Sequence, residues 1–164
     1  MEPIESIISS GMDRHSEFMQ EALAAAREAG RKGEVPVGAV IISPEGELLA
    51  KAHNESISRN DPTAHAEILA LRMAGKRLSN YRLLGTTFYV TVEPCLMCMG
   101  ALVQARVTHL VYGVRDPKGG AVDSLYNIAE DPRLNHRMEV SGGVLEKDCR
   151  EIIRSFFHRL RENQ

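Results

Sequence analysis

Hydrophobic and polar positions along this chain follow first a helical period and then a strand pattern. Apolar residues recur at helical spacing from about Asp13, and the glycines in 30–33 end that pattern. Residues 35–42 form a continuous apolar run, which a short turn joins to a second apolar run at 48–50. These runs predict a hairpin whose first strand is buried on both faces.

The rest of the chain is predicted to contain both helices and strands. We predict, in order, a helix at 64–78, a strand at 86–92, a helix at 96–105, a strand at 107–112, a short strand at 138–140 and a helix at 145–161. This order is typical of an α/β layered domain with helices on both faces of the sheet. Ligands of such sheets bind at strand ends.

Length and composition narrow the class of protein. A chain of 164 residues is long enough for a sizeable core, so we expect a single domain over 1–164, with residues 1–11 as a loose lead-in. No secretory signal or membrane-length apolar run is visible, and the three cysteines suit a reducing, cytoplasmic location. The net charge is −2, so any RNA contact would need a local basic patch.

Two short segments carry the candidate chemistry. They are His65-Ala66-Glu67 and Pro94-Cys95-Leu96-Met97-Cys98. Two thiolates and an imidazole suit Zn²⁺, and three protein ligands leave a fourth position for water, as in catalytic zinc sites. We therefore predict His65, Cys95 and Cys98 as zinc ligands.

Local geometry predicts where these ligands lie. Cys95 and Cys98 are spaced three apart in the opening turn of a helix, where both sulfurs can face one ion. His65 and Glu67 can address the same ion only from a helix mouth, and we expect residues 61–63 to supply the cap and the first helical position. The ion is then predicted between two helix N-termini, with Glu67 beside the metal-bound water as a general acid/base.

Other features have two possible readings. Gly38 fits either close packing or close approach to a ligand, and packing is favoured. Asn54 follows a strand, where it can read a base edge or bond its own turn. Cys149 fits the core, and His109 fits a structural role.

The last helix has a basic stripe on one face. Its residues are Lys147, Arg150, Arg154, His158 and Arg161. We interpret this stripe as a solvated face, with phosphate binding as the alternative.

Several motifs spread over most of the chain resemble one known family. They are residues 34–40, Asn54, residues 61–67, 80–83 and 93–101, Arg115-Asp116-Pro117-Lys118-Gly119-Gly120, and Asn135-His136-Arg137. The chain resembles the bacterial tRNA-specific adenosine deaminases of the TadA type, within the cytidine-deaminase-like superfamily. The H-x-E and P-C-x-x-C motifs are shared by many deaminases of that superfamily. The loop at 115–120 and the Asn-His-Arg triplet resemble the tRNA enzymes specifically.

The resemblance implies a three-layer α/β/α fold around a mixed five-stranded sheet, one Zn²⁺ per subunit and a homodimer. It implies hydrolytic conversion of the wobble adenosine of an arginine tRNA to inosine, with Glu67 as the proton shuttle. Around the anticodon stem-loop it suggests six substrate-binding residues: Asn54, Asp116, Lys118, Asn135, Phe157 and Arg161.

Two other functions fit the metal motif. A deaminase of free nucleobases or nucleosides, of the guanine or cytosine type, would share the same zinc site. A non-catalytic, zinc-stabilised interaction module would instead have a fourth protein ligand, and the sequence shows no further Cys or His beside either segment.

Overall fold

The computed structural model describes the backbone of residues 4–164 and the side chains from Arg14 onward. Within residues 4–164, four helices and five strands follow one another: α1 (Ile4–Arg31), β1 (Gly38–Ile42), β2 (Leu48–His53), α2 (Ala66–Leu78), β3 (Thr87–Val92), α3 (Leu96–Ala105), β4 (His109–Val114), β5 (Glu139–Ser141) and α4 (Glu146–Glu162).

The five strands form one mixed sheet in the order β2-β1-β3-β4-β5. β1 is antiparallel to both of its neighbours, whereas β3, β4 and β5 run parallel. The carboxyl ends of β3 and β4 therefore lie at the same edge of the sheet as the start of β1. This edge receives the loops that carry the predicted chemistry.

Both faces of the sheet are covered, which explains the continuous apolar run of β1. Ala39 and Ile41 pack in one hydrophobic cluster with α2 and α3. Val40 and Ile42 point the other way, into a second cluster with α1 and α4. Successive strand side chains face opposite sides of a sheet, so a strand between two helical layers must be apolar at every position. The predicted three-layer α/β/α fold is confirmed.

The first helix begins earlier than predicted. α1 starts at Ile4, so the expected lead-in is wrong for residues 4–11, while residues 1–3 lie outside the described residues. Ile4, Ile7 and Ile8 already have helical spacing, and the short run of them was too little to predict a helix on its own. The other helix and strand ends differ from the predictions by at most three residues.

Gly38 lies where α1 crosses the sheet, and packing decides its identity. A Cβ atom at this position would collide with the carbonyl oxygen of Ala22 and would lie 2.6 Å from the amide nitrogen of Ala26. Both are backbone atoms of a helix and cannot move aside as a side chain can. The packing explanation of Gly38 is confirmed.

Cys149 is also a core residue, as predicted. It lies in the hydrophobic cluster beneath α1, and 1% of its surface is exposed.

Among the described residues, no helix is both long enough and apolar enough to span a lipid bilayer.

Candidate active site

The metal-binding triad is built at the N-termini of α2 and α3. His65 is the N-cap of α2 and Cys95 is the N-cap of α3, and both have extended backbones, with ψ of 153° and 175°. Neither side chain caps its own helix. Both are therefore free to point toward the space between the two helices, which Cys98 also faces from the first turn of α3.

The three side chains are close enough to hold one ion. The Nδ1 atom of His65 lies 3.7 Å from Cys95 Sγ and 3.5 Å from Cys98 Sγ. All three candidate ligand atoms lie within 4.8 Å of one another. A tetrahedral zinc, with bonds of about 2.3 Å to sulfur and 2.0 Å to nitrogen, separates such ligands by roughly 3.5 Å. The residues therefore fit zinc, and the described chain offers no fourth Cys, His or carboxylate ligand in this group.

The electrostatics of the triad make Cys95 a ready thiolate ligand, whereas Cys98 and His65 hold their protons more tightly and would have to release them to a cation. The hydrogen bond from the Cys98 thiol, with a further contribution from His65, lowers the pKa of Cys95 to about 4. The same thiol–thiolate bond and burial raise the pKa of Cys98. The hydrogen bond to Cys95 raises the pKa of His65 against the effect of burial. The pair thus carries one negative charge already, and a bound cation would favour a second thiolate.

Glu67 lies in the first turn of α2, two residues after His65, and is 4% exposed. Its Oε1 atom is the single buried side-chain oxygen or nitrogen without a hydrogen-bond partner among the described residues. Burial raises the pKa of Glu67. A buried, unpaired carboxylate oxygen is rare in a folded protein and is typical of groups that meet a ligand or solvent in function.

The predicted start of α2 is wrong, although the predicted helix mouth is correct. We expected residues 61–63 to cap the helix, but Asp61 Oδ1 accepts hydrogen bonds from the amide and hydroxyl of Thr63, at 2.8 and 2.7 Å. These bonds close a local turn before the helix begins. His65 holds the N-cap position, but the side chain that makes the capping hydrogen bond is that of Asn54, whose Oδ1 accepts a 2.8 Å bond from Ala66 N.

This bond gives Asn54 a capping role, which differs from both interpretations of the sequence, contact with a base edge and a bond within its own turn. It follows β2 directly and joins that strand to the residue after His65. Its carboxamide oxygen is committed to the helix, while its Nδ2 donors make no hydrogen bond within residues 14–164.

Two buried glutamates, Glu34 and Glu93, hold the loops around the site. The sequence alone did not predict a role for either of them. Glu34 accepts hydrogen bonds from the amides of Ile57 and Ser58, at 3.1 and 2.7 Å, and fixes the loop after Asn54. Glu93 accepts a 2.6 Å bond from the hydroxyl of Ser124 and a 3.3 Å bond from its amide. A glutamate directly beside a buried strand is the signal that could have identified both.

Four of the six predicted substrate residues line one open cleft of about 1250 Å³. They are Asp116 and Lys118, in the loop after β4, and Phe157 and Arg161, on α4. The cleft floor includes Val37 and Val92, which flank the metal-bearing edge of the sheet. The metal triad and Glu67 are not part of the lining, so the cleft lies beside the metal site rather than over it.

Asn135 is not brought to this cleft. The next residue, His136, lies 2.6 Å through its Nε2 from the carbonyl oxygen of Val107, just before β4 begins. Val107 follows the far end of α3, and that helix of 10 residues is about 15 Å long. Within one chain, Asn135 is therefore at the end of the sheet opposite the metal triad.

Comparison with known proteins identifies the family. The sequence profile of the cytidine and deoxycytidylate deaminase zinc-binding region matches residues 12–114. The chain is 46% identical to a tRNA-specific adenosine deaminase of Bacillus subtilis, over 90% of this chain and 91% of the relative. It is 44% identical to a tRNA-specific adenosine deaminase of Streptococcus pyogenes serotype M1, over 93% of this chain and 89% of the relative.

A solved structure agrees with the sequence matches. It comes from work on A-to-I editing by tRNA:A34 deaminases at the wobble position of transfer RNA. It superposes with a TM-score of 0.80 at 45% identity, over 83% of this chain and 98% of the other. With the zinc triad in place at two helix N-termini, these matches show that the chain belongs to the tRNA-specific adenosine deaminase family.

Proposed function

We propose that this protein is a zinc-dependent enzyme that hydrolyses adenosine to inosine and ammonia at the wobble position of a tRNA anticodon. The observation that carries the proposal is a three-ligand metal site with a buried carboxyl group beside it, one oxygen of which has no hydrogen-bond partner among the described residues. A purely structural zinc has four protein ligands and needs no acid or base nearby. Membership of the tRNA-specific adenosine deaminase family selects the substrate.

The zinc ligands and Glu67 have different roles in the proposed reaction. His65, Cys95 and Cys98 would hold zinc, which lowers the pKa of a coordinated water toward about 7 and so supplies a nucleophile at neutral pH. Glu67 would accept a proton from the attacking water and deliver it to a purine ring nitrogen as C6 is attacked. Glu67 would then take the second proton from the new C6 hydroxyl group and deliver it to the departing amine, so that one water is consumed and one ammonia is released.

Substrate binding is assigned to the residues around this centre. Asn54 lies at the same helix mouth, and its free Nδ2 donors suit the acceptors on a purine edge. Asp116, Lys118, Phe157 and Arg161 would contact the anticodon loop from the neighbouring cleft. The loop is single-stranded, so turning one base outward costs less than it would in a duplex.

A homodimer acting on an arginine tRNA in the cytoplasm completes the proposal. Exposed apolar side chains on the α2/α3 face and the segment after β4 support dimerisation: Met73 at 50%, Leu96 at 51%, Leu125 at 54% and Tyr126 at 52% exposure. Asn135 could reach an anticodon loop only from a second subunit. Sedimentation equilibrium tests the dimer, and sequencing of tRNAs after deletion of the gene tests the substrate.

The decisive experiment compares substrates. Purified protein is assayed for inosine formation in an anticodon stem-loop with adenosine at the wobble position, and for ammonia release from free adenosine, guanine and cytosine. We expect turnover of the stem-loop and little of the small molecules. An identical stem-loop with guanosine at the wobble position is the control. Activity on free guanine or cytosine alone would establish the nucleobase deaminase instead.

A further inference from the structure

The cleft beside the metal site has an excess of positive charge on its walls. We propose that Arg150 and Arg154 on α4 form a phosphate-binding track, which holds the RNA backbone that flanks the reacting nucleotide. This inference rests on the proposed function, because the ligand is the same RNA. It replaces the earlier interpretation of the basic stripe as a solvated face.

The first argument is the distribution of charge. The molecule as a whole has a net charge of −2, yet this cleft is lined by five Lys or Arg side chains and two carboxylates: Arg115, Lys118, Arg150, Arg154 and Arg161 against Asp116 and Glu146. Such a concentration on an acidic protein is the local basic patch that nucleic-acid binding requires.

The second argument is that these positively charged side chains are available to bind phosphate, because carboxylates do not hold them strongly. Arg154 has no carboxylate partner among residues 14–164, and neither do Lys118 and Arg161. Arg150 is paired with Glu146 on the same helix, and the two side chains are partly exposed, at 38% and 44%. Exposed ion pairs of this type contribute little, about 0.3–0.5 kcal/mol. Arg150 can therefore exchange Glu146 for a phosphate at small cost.

The third argument is geometric. Arg150 and Arg154 are one helical turn apart and face the same side of α4. The distance along α4 from Arg150 to Arg161 is about 16 Å, at about 1.5 Å per residue. The helix thus presents a row of guanidinium groups, which bind phosphates through paired donors.

The floor of the cleft suits the bases rather than the phosphates. Val37, Val92 and Ile153 line it, and Phe157 stands at its side with 38% of its surface exposed. Unpaired bases stack on such aromatic and apolar surfaces, while their phosphates turn toward cations at the rim. A strand bound here would place its backbone along Arg150 and Arg154.

The test measures how binding depends on salt. We compare wild type with the double variant Arg150→Gln/Arg154→Gln in binding a fluorescent anticodon stem-loop across a series of KCl concentrations. Each phosphate contact in a single strand contributes about 0.7 to the slope of log K against log salt, so the slope should fall by about 1.4. Binding should be weaker at low salt and converge with wild type at high salt.

Two controls separate charge at this cleft from other effects. Arg159→Gln removes one positive charge from the same helix, but Arg159 lies on the side that faces Arg27 and outside the cleft, so the slope should be unchanged. Arg150→Lys/Arg154→Lys keeps both charges and should retain most of the slope. Circular dichroism and thermal melting establish that all variants fold.

An unchanged slope in the folded double variant would overturn the inference, as would an equal loss in Arg159→Gln. If wild type deaminates the stem-loop in either case, the proposed function stands and only the phosphate track fails. If wild type neither binds nor deaminates the stem-loop, both fail together.

Discussion

At the scale of single residues, Glu67 combines three properties that are unfavourable for stability when they occur together. It is an acidic side chain, it is buried, and one of its oxygens has no hydrogen-bond partner within the described chain. An uncompensated buried carboxylate typically costs a few kcal/mol. Folded proteins retain such groups mainly at functional sites.

We therefore expect Glu67→Ala to lose turnover by about 10²- to 10⁴-fold, the usual contribution of a general acid/base. Zinc content should stay at one ion per chain, since Glu67 is not among the three ligands. Inosine formation in the stem-loop and metal analysis measure the two effects. Glu45→Gln, at an exposed position in the β1–β2 turn, is the control. A wild-type rate in Glu67→Ala would end the proposed role.

At the scale of elements, the site depends on how closely α1 and the sheet approach. Gly38 allows the backbone of α1 to lie directly on β1, and its amide donates a 3.2 Å hydrogen bond to the hydroxyl of Thr91 in β3. Thr91 is four residues before Cys95. The contact therefore fixes the edge from which the metal-binding turn begins.

Gly38→Ala should reduce the free energy of unfolding by about 1–3 kcal/mol or more, because the added methyl group overpacks against helix backbone. Urea denaturation measures this. Gly30→Ala, on α1 itself, is the control: its Cβ would lie 3.6 Å from Pro36 Cβ, an ordinary contact, and Ala is the better helix former. Equal stability in the two variants would contradict the packing argument.

At the scale of the whole molecule, a small polar network joins α1 to three strands on the face opposite the metal helices. His15 Nδ1 lies 2.7 Å from the Tyr89 hydroxyl, and the His15 and His109 rings are 5.3 Å apart. His109 Nε2 lies 2.8 Å from the Ser141 hydroxyl. This network joins α1, β3, β4 and β5, and protonation of both imidazoles would place two positive charges close together within it.

Acid should therefore weaken the fold through these two residues. Burial, the charge of His109 and then Arg14 lower the pKa of His15, and burial lowers that of His109 against the opposing effect of Glu139. Both groups bind protons more readily when unfolded, so their stabilisation is complete above about pH 6.5 and is lost as pH falls through the lowered folded values.

Urea denaturation at pH 7.5 and 5.5 checks this expectation in wild type and in His15→Gln/His109→Gln. The variant should lose less stability between the two pH values than wild type does. An equal loss in both proteins would exclude the histidine pair as the cause.

Particular residues show how far sequence reasoning reached. The ligand set and the helix-mouth geometry of His65 were predicted because metal chemistry restricts residue types and helix geometry restricts their directions. The capping role of Asn54 was not predicted, since its partner Ala66 is 12 positions away and local propensity favours a turn. Glu34 and Glu93 lie in the motifs that resemble the family, but no role was predicted for them because their hydrogen-bond partners are also distant in the chain.

The sequence by itself determined the layered architecture and the chemistry of the metal, because alternation of side chains and ligand preference are local properties of the chain. Only the tertiary structure decided that α4 stands across a cleft from the loop after β4, and that Asn135 lies at the far end of the sheet. Which surfaces meet depends on contacts between residues distant in the chain, and no local pattern of hydrophobicity encodes those contacts.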